Sequence, residues 1–340
     1  MNSMSPRERV MKALRYEEPD RVPIDLGGNV SSLHVLAHER LSKFLGVQVG
    51  ARIIDKVQQA VSPPEQMLQR FGIDFRRVLL RSGLLQGRPD LDNDKYGRPY
   101  FVDEWGIKWG KGPLYYDMID HPLKAASVDD LETYPWPDPH SEERYDGIEE
   151  QAQELCENTD YAVVGQSLGA SLFEHSWWMR GFETFMLDMH KRPDFANALL
   201  DKLLTTFLGF YEEYLERIGK YVQLVQFGDD YGMQTGLIMR PGLFRQYIKP
   251  RLTRLYSYVH NRTRAMILHH SCGSIYSILD DLIEAGVDVL NPLQPSAFQM
   301  NAADIKKDFG NRLCFHGGVD IQRVIPFESP AGVRREVKRA

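Results

Sequence analysis

The residues of this chain with the most specific chemistry are a histidine and a cysteine two positions apart, His270 and Cys272. They follow the apolar run 265–269, which predicts a β-strand. Side chains at positions i and i+2 of an extended chain point the same way, so an imidazole nitrogen and a sulfur are expected to converge. Imidazole and thiolate are ligands that zinc prefers. The spacing therefore predicts a zinc site and a zinc-assisted group transfer at the end of a strand.

A purely structural pair is the competing interpretation of the same motif. An isolated His-x-Cys is more often a hydrogen-bonded histidine beside a small buried thiol. Gly273 and Ser274 follow directly and allow a turn into a helix, whose N-terminal dipole would stabilise a thiolate. The residues alone leave both interpretations open.

Acidic residues follow two other predicted strands. Asp25 closes the run that begins at residue 22, and the pair Asp229 and Asp230 closes the run 222–227. We expect Asp25 and Asp229 to lie at the same mouth as His270, as a general base or as part of a metal shell. Adjacent side chains of an extended chain diverge, so at most one of the pair faces the cleft, and we assign Asp230 to the substrate. Capping of the following helix is the alternative use.

Further candidate side chains follow the third predicted strand and the last one. Glu174, Trp177 and Arg180 are spaced by three, so neighbours in this series share a helix face. We predict that Glu174 is a catalytic carboxylate and that Trp177 and Arg180 contact the substrate; a well-packed helix is the alternative. His316 shares a strand face with Cys314 and lies nearer the mouth, so we predict a substrate contact for His316 and a core position for Cys314.

Apolar runs of strand length alternate with longer helical patterns and must position these residues. Repeated βα units predict a parallel sheet with helices outside it, as a closed barrel or an open doubly wound sheet. A (β/α)8 barrel needs one strand more than we count, so we expect a TIM-type barrel that lacks its last βα unit. The predicted strands are residues 22–26, 75–80, 161–165, 222–227, 265–269, 287–291 and 313–316.

One stretch departs from this alternation. Residues 87–139 are rich in Tyr, Trp, Gly, Pro and Asp, and they predict a hairpin and a long loop inserted after the second strand. Such an insertion forms either a lid or binding wall at the mouth, or a surface hairpin packed on the rim. We treat residues 1–340 as one domain that carries this insertion.

Composition excludes several classes of function. The chain has 340 residues, of which 43% are hydrophobic and 26% charged. No apolar run approaches the length of a membrane span, and a net charge of −6 gives no electrostatic footprint for nucleic acid. Three widely spaced cysteines argue against a disulfide framework and for a cytoplasmic protein. No Walker A, Rossmann or Gly-x-Ser-x-Gly motif occurs.

Six motifs, in order along nearly the whole chain, resemble the uroporphyrinogen decarboxylase superfamily. The resemblance implies a TIM barrel and one of two chemistries. One is the cofactor-free decarboxylation of a porphyrinogen, and the other is zinc-dependent methyl transfer to or from a corrinoid protein. The motifs are residues 5–10 (SPRERV), 18–25 (EPDRVPID), 178–183 (WMRGFE), 227–232 (FGDDYG), 270–273 (HSCG) and 317–320 (GGVD).

The decarboxylase pattern is matched poorly. True decarboxylases carry an Arg-Gln-Ala-Gly-Arg-Tyr run after the first strand, which grips substrate carboxylates, whereas residues 25–29 here are DLGGN. The aspartate expected at the end of the second strand is replaced around Leu80 and Arg81. The active-site tyrosine of the decarboxylases aligns near Trp177.

The methyltransferase branch is similar through its His-x-Cys motif, which His270 and Cys272 carry here. Its second cysteine comes from the eighth strand, for which the resemblance leaves Asp229, Glu174 or His316 as substitutes, or an incomplete site. We therefore predict a zinc-dependent methyltransferase that moves a methyl group between a small methylated substrate and a corrinoid protein. Uroporphyrinogen decarboxylase and a non-catalytic ligand-binding relative are the alternatives.

Overall fold

A computed structural model describes residues 4–47, 50–80, 90, 93–169 and 172–339. Its strands are β1 (Leu33–His34), β2 (Arg52–Asp55), β3 (Ala60–Ser62), β4 (Phe75–Val78), β5 (Tyr100–Val102), β6 (Lys108–Lys111), β7 (Tyr116–Asp120), β8 (Ala162–Gly165), β9 (Leu224–Gly228), β10 (Gly232–Met233), β11 (Gly236–Leu237), β12 (Met266–His270), β13 (Val289–Leu293) and β14 (Cys314–Gly317).

Helices follow most of these strands. They are α1 (Pro6–Leu14), α2 (Val35–Leu45), α3 (Glu65–Arg70), α4 (Asp130–Thr133), α5 (Glu142–Tyr145), α6 (Ile148–Glu157), α7 (Leu172–Arg180), α8 (Phe182–Lys191), α9 (Pro193–Ile218), α10 (Pro241–Leu243), α11 (Lys249–His260), α12 (Leu279–Ala285), α13 (Ala302–Phe309), α14 (Val324–Phe327) and α15 (Pro330–Arg339). A π-helical turn (Phe244–Ile248) precedes α11, and a 3-10 turn (Tyr276–Ile278) precedes α12.

The central sheet contains β4, β8, β9, β12, β13 and β14, paired in chain order. Every pairing in it is parallel, and helices lie between successive strands. This is an α/β fold of the TIM type, as the alternation of apolar runs predicted. Two small antiparallel sheets, β1–β3–β2 and β5–β6–β7, and the hairpin β10–β11 lie outside it.

The interior of the sheet changes from apolar to polar along the strands. Its apolar cluster takes alternate strand residues and two residues of α1, and these members are Val10, Leu14, Phe75, Ala162, Val164, Leu224, Leu268 and Val289. Because side chains alternate between faces, the residues two positions further along point into the same interior. Those residues include Arg77, Gln226, His270 and Asn291, and His316 follows Cys314, which packs against the same cluster, in the same way. The carboxyl ends of the strands therefore form a polar layer above an apolar floor.

The first predicted strand, residues 22–26, is not a strand in the structure. The backbone amide of Asp74 donates to the carbonyl of Ile24 (2.9 Å), but the amide of Ile24 donates to the side-chain Oδ2 of Asp74 (2.7 Å). The Asp74 carboxylate thus replaces the backbone carbonyl that a neighbouring strand would offer to the Ile24 amide. Pro23 has no amide hydrogen with which to pair. The other six predicted strands are present, with ends that agree or are shifted by one or two residues.

The predicted insertion contains an antiparallel sheet of three strands, β5, β6 and β7, rather than a single hairpin. Residues 81–89, 91 and 92 at its start lie outside the described part of the chain. Trp109 of β6 packs edge-on against Trp178 of α7, with ring centroids 5.6 Å apart. Trp105 lies 4.4 Å from the His175 ring of the same helix. Among the described residues, no helix is long and apolar enough to cross a membrane.

Candidate metal centre

His270 and Cys272 converge at the carboxyl end of β12. The Nε2 atom of His270 lies 3.4 Å from the Sγ atom of Cys272, as the i, i+2 spacing predicted. Side chains alternate along the strand, so the neighbouring His269 points to the other face, where its Nδ1 pairs with the Tyr256 hydroxyl (2.7 Å). His270 and Cys272 are both partly accessible, whereas His269 is buried. The pair therefore opens toward the mouth rather than into the helix layer.

Asp230 supplies a third donor atom to this pair. Its Oδ1 lies 3.5 Å from His270 Nε2 and accepts a hydrogen bond from the Cys272 amide (2.7 Å). One ligand atom from each residue falls within 4.8 Å of the others. We expected Asp230 to contact the substrate, with Asp229, Glu174 or His316 as the third ligand. The register of β9 and β12 carries the missed signal: Gly228 pairs with His270, so the residues two further along lie side by side.

The three donors suit zinc. Tetrahedral zinc with bond lengths near 2.0–2.3 Å separates its ligand atoms by about 3.3–3.6 Å. The His270–Cys272 and His270–Asp230 distances are 3.4 and 3.5 Å. An oxygen, a nitrogen and a sulfur ligand leave one position open, which is the arrangement of catalytic rather than structural zinc sites.

The Cys272 thiol differs from our expectation of a dipole-stabilised thiolate. Burial, with smaller contributions from the charges of Asp230 and Glu174, raises its pKa to about 12. A 3-10 turn (Tyr276–Ile278) follows Gly273, and α12 begins only at Leu279, so Cys272 does not lie at the N-terminus of an α-helix. Without metal, Cys272 is therefore a protonated thiol at neutral pH.

Zinc uptake by the metal-free protein should release about one proton per site at pH 8, because the Cys272 thiol must ionise to bind. Between pH 7 and pH 9, where that thiol stays protonated without metal, zinc affinity should rise about tenfold per pH unit. Calorimetry in two buffers with different ionisation enthalpies counts the protons. The variant Cys314→Ser should release the same number as the natural chain. Tight zinc binding with no proton release would contradict the assignment of the thiol.

Asp229 and Glu174 lie on the helix side of the centre. Asp229 is fully buried, and its carboxylate accepts from the amides of Phe173 (2.9 Å) and Glu174 (2.8 Å) at the start of α7. It also accepts from the Tyr231 hydroxyl (2.9 Å). Asp229 thus fixes the first turn of α7, a helix that precedes it in the chain, whereas the alternative we considered was capping of the helix that follows it. Its carboxylate is taken up by these bonds, so the geometry does not support our assignment of Asp229 as a catalytic base.

The Glu174 carboxyl sits among other acids. Burial, followed by the charges of Asp230 and Asp229, raises the pKa of Glu174 well above its usual range. Since the same carboxyl contributes to the raised pKa of Cys272, it lies within electrostatic reach of the three donors. Glu174 is therefore a partly accessible acid beside the candidate metal site, and its raised pKa favours the protonated form.

Two other residues of α7 have different surroundings. Trp177 is partly accessible and packs against Phe182 (5.7 Å between centroids); its Nε1 is buried, with no hydrogen-bond partner among the described residues. Arg180 is buried, pairs with Asp188 (2.7 Å) and donates to the Leu123 carbonyl (2.6 Å). Our expectation of a substrate contact for Arg180 is corrected by these bonds, which tie α7 to α8 and to the segment that follows β7.

Asp25 and His316 are tied into the wall of the mouth. Asp25 accepts two hydrogen bonds of 2.7 Å from the guanidinium of Arg77, and His316 Nε2 lies 3.0 Å from Asp25 Oδ2. Burial would raise the pKa of Asp25, but the charge of Arg77 and the bond to His316 outweigh it and hold that pKa well below its usual range. A carboxylate so stabilised is a poor proton acceptor, so the geometry does not support our assignment of Asp25 as a catalytic base.

Comparison with known proteins agrees with this architecture. A methyltransferase from Methanosarcina mazei is similar in structure over 99% of this chain and 89% of that chain, with 16% sequence identity and a TM-score of 0.61. At that identity the likeness concerns the fold. No curated protein matches the sequence significantly. The sequence profile of the uroporphyrinogen decarboxylase (URO-D) family matches residues 111–340, which is more than half of the chain. This chain therefore belongs to the uroporphyrinogen decarboxylase family.

Proposed function

We propose that this chain is a zinc-dependent methyltransferase that moves a methyl group between a small methylated substrate and a corrinoid protein. The observation that carries the proposal is the cluster of Asp230, His270 and Cys272 at the mouth of the barrel. The fold is shared with a methyltransferase, and the family is enzymatic. A thiol that is neutral without metal gains a use as a ligand once zinc is bound.

Asp230, His270 and Cys272 would hold the ion. Bound zinc would polarise the heteroatom that carries the methyl group, or lower the pKa of a thiol that receives it. A doubly charged ion with one thiolate and one carboxylate gives a neutral centre, which suits a low-dielectric site. The open ligand position lies on the side of the mouth, where the three side chains are partly accessible.

Glu174 is the residue we assign to proton transfer. Desolvation, followed by the charges of Asp230 and Asp229, raises the pKa of its carboxyl and so favours the protonated form. A proton held at Glu174 beside the centre can pass to an oxygen or nitrogen that loses its methyl group. Trp177 would contribute an aromatic wall and one unpaired donor, Nε1, to the same substrate.

The decarboxylase alternative lacks support from charge. A porphyrinogen with many carboxylates needs several free cations at the mouth. Arg77, which lies in the polar layer, directs both terminal nitrogens to Asp25 at 2.7 Å. At the centre itself, Asp230 adds a negative charge beside His270 and Cys272. An anionic substrate would be repelled there unless a metal were bound.

Methyl transfer is tested with the zinc-loaded protein and cob(I)alamin as a free corrinoid probe. Methylated phenols, amines and thiols are offered one at a time under reducing conditions, and the loss of the cob(I)alamin absorbance is followed. We expect turnover with at least one class, loss of turnover in Cys272→Ser, and full turnover in the matched variant Cys314→Ser. The Cys314 sulfur lies 3.4 Å from the Ala13 carbonyl, under the barrel.

Two outcomes would contradict the proposal. Conversion of uroporphyrinogen to its decarboxylated products would favour the decarboxylase alternative. Tight binding of a methylated compound, with zinc bound and no methylation of cobalt from any class, would favour a non-catalytic relative. A corrinoid protein as the partner and a reducing, cytoplasmic setting that keeps Cys272 a thiol belong to the same proposal.

A further inference from the structure

A chain of hydrogen bonds crosses the mouth of the barrel and ends on His270. The Oδ1 atom of Asn291, on β13, lies 2.5 Å from Nδ1 of His270. The Nδ2 atom of the same side chain lies 2.5 Å from Nδ1 of His316. His316 of β14 reaches Asp25 Oδ2 at 3.0 Å, and Arg77 of β4 holds Asp25 with two bonds of 2.7 Å. The chain thus joins the candidate metal ligand to an ion pair on the other side of the interior.

The far end of this chain is rigid and has a fixed polarity. The side chains of Arg77 and Asp25 are 4% and 5% exposed, so neither can turn to water at low cost. Asp25 is a carboxylate and only accepts hydrogen bonds. Whatever His316 presents to it at Nε2 must therefore be an N–H group. In neutral His316 the other ring nitrogen, Nδ1, is then an acceptor.

The same logic passes along the chain to the metal ligand. Since His316 Nδ1 is an acceptor, the Asn291 atom that faces it must be the amide nitrogen, which donates. The amide oxygen of Asn291 then faces His270. An acceptor oxygen at 2.5 Å requires a hydrogen on His270 Nδ1. His270 Nε2, the atom that faces Cys272 and Asp230, is then the bare lone pair that a metal needs.

We infer that Asn291 and His316 are positioning residues that fix the tautomer and ring orientation of His270 for metal binding. The inference rests on the proposed zinc site and adds to it residues that the His-x-Cys motif does not contain. The parallel register makes the arrangement possible, because His270 pairs with Asn291 across β12 and β13. His316 follows the β14 residue that pairs with Leu290.

Zinc affinity, measured by competition with a chelator, tests the order of the chain. Asn291→Leu should weaken zinc binding by about 10–100-fold, the usual cost of losing a partner of a metal ligand. His316→Leu should cost part of that loss, and His316→Gln, which can both donate and accept, should recover it. Since His316 acts through Asn291, the double variant should bind zinc as Asn291→Leu does. Additive losses in the double variant would overturn the inference.

The tautomer itself is read without metal from the ring 15N shifts of His270. The natural protein should show a protonated Nδ1 and a bare Nε2. Asn291→Leu and His316→Leu should populate the opposite tautomer, and His316→Gln should not. An unchanged tautomer in Asn291→Leu would also overturn the inference. This readout involves no methyl transfer, so failure of the positioning role and failure of the proposed activity are distinguishable.

Discussion

Replacing His270 or Cys272 by alanine should abolish stoichiometric zinc binding. Each change removes one of three donors that lie within 4.8 Å of one another. The loss of affinity should exceed the roughly 10–100-fold that removal of an outer-shell partner costs. Asp230→Ala should have an effect of the same kind. Elemental analysis of each variant, after dialysis against the same chelator as the natural chain, measures the bound metal.

The chain offers matched controls for this result. Cys314 and Cys156 are also free, half-buried cysteines, but neither is grouped with a histidine and a carboxylate among the described residues. Cys314→Ala and Cys156→Ala should therefore keep the full zinc content. If His270→Ala and Cys272→Ala retained one zinc per chain, the centre would not be a metal site, and the proposed reaction would lose its basis.

Arg77→Met should destabilise the fold more than any other single change discussed for the barrel wall. The methionine leaves the buried carboxylate of Asp25 without its cation, which typically costs about 3–5 kcal/mol. Lys124→Met is the matched control, since Lys124 pairs with Asp120 at the surface with side chains 62% and 51% exposed. That pair should contribute about 1 kcal/mol or less. Urea unfolding at pH 7 measures both variants against the natural chain.

The pH dependence of the Arg77 effect has a definite sign. Asp25 has a folded pKa below its unfolded value, so the ion pair contributes stability above the unfolded pKa of about 3.9 and loses it as the pH falls toward the folded value. In Arg77→Met the burial of Asp25 is no longer offset by the guanidinium and should raise the pKa of Asp25. The stability of this variant should therefore fall as the pH rises. The gap in unfolding free energy between the natural chain and Arg77→Met should be widest near pH 7 and narrow below about pH 4. An equal gap at pH 7 and pH 4 would exclude Asp25 as its source.

Local spacing along the chain predicted the part of the site that lies on one strand. His270 and Cys272 are two residues apart on one extended segment, so their convergence depends on backbone geometry alone. The apolar runs likewise predicted the parallel order of βα units, and six of the seven predicted strands are present. The run 22–26 failed because a side chain of Asp74, distant in sequence, replaces a backbone partner.

Residues that act across strands could not be chosen from spacing. Asp230 differs from Asp229 by one position, and only the pairing of Gly228 with His270 decides which carboxylate reaches the cysteine. Asn291 closes an apolar run and carries no motif, yet it contacts both His270 and His316. Arg180 looks like a binding residue in sequence, but tertiary contacts take its guanidinium. Register and long-range ion pairing, which one sequence does not reveal, account for these differences.

The packing of Trp105 and Trp109 onto α7 ties the inserted segment to the helix that carries Glu174, the residue we propose for proton transfer. Glu174 lies in the first turn of this helix, and its backbone amide donates a hydrogen bond to the Asp229 carboxylate. Exchanging the insertion for that of a relative would therefore move the Glu174 carboxyl together with Trp177, the proposed wall of the substrate site. We therefore expect that a change of this insertion would alter the proposed proton donor as well as the choice of substrate.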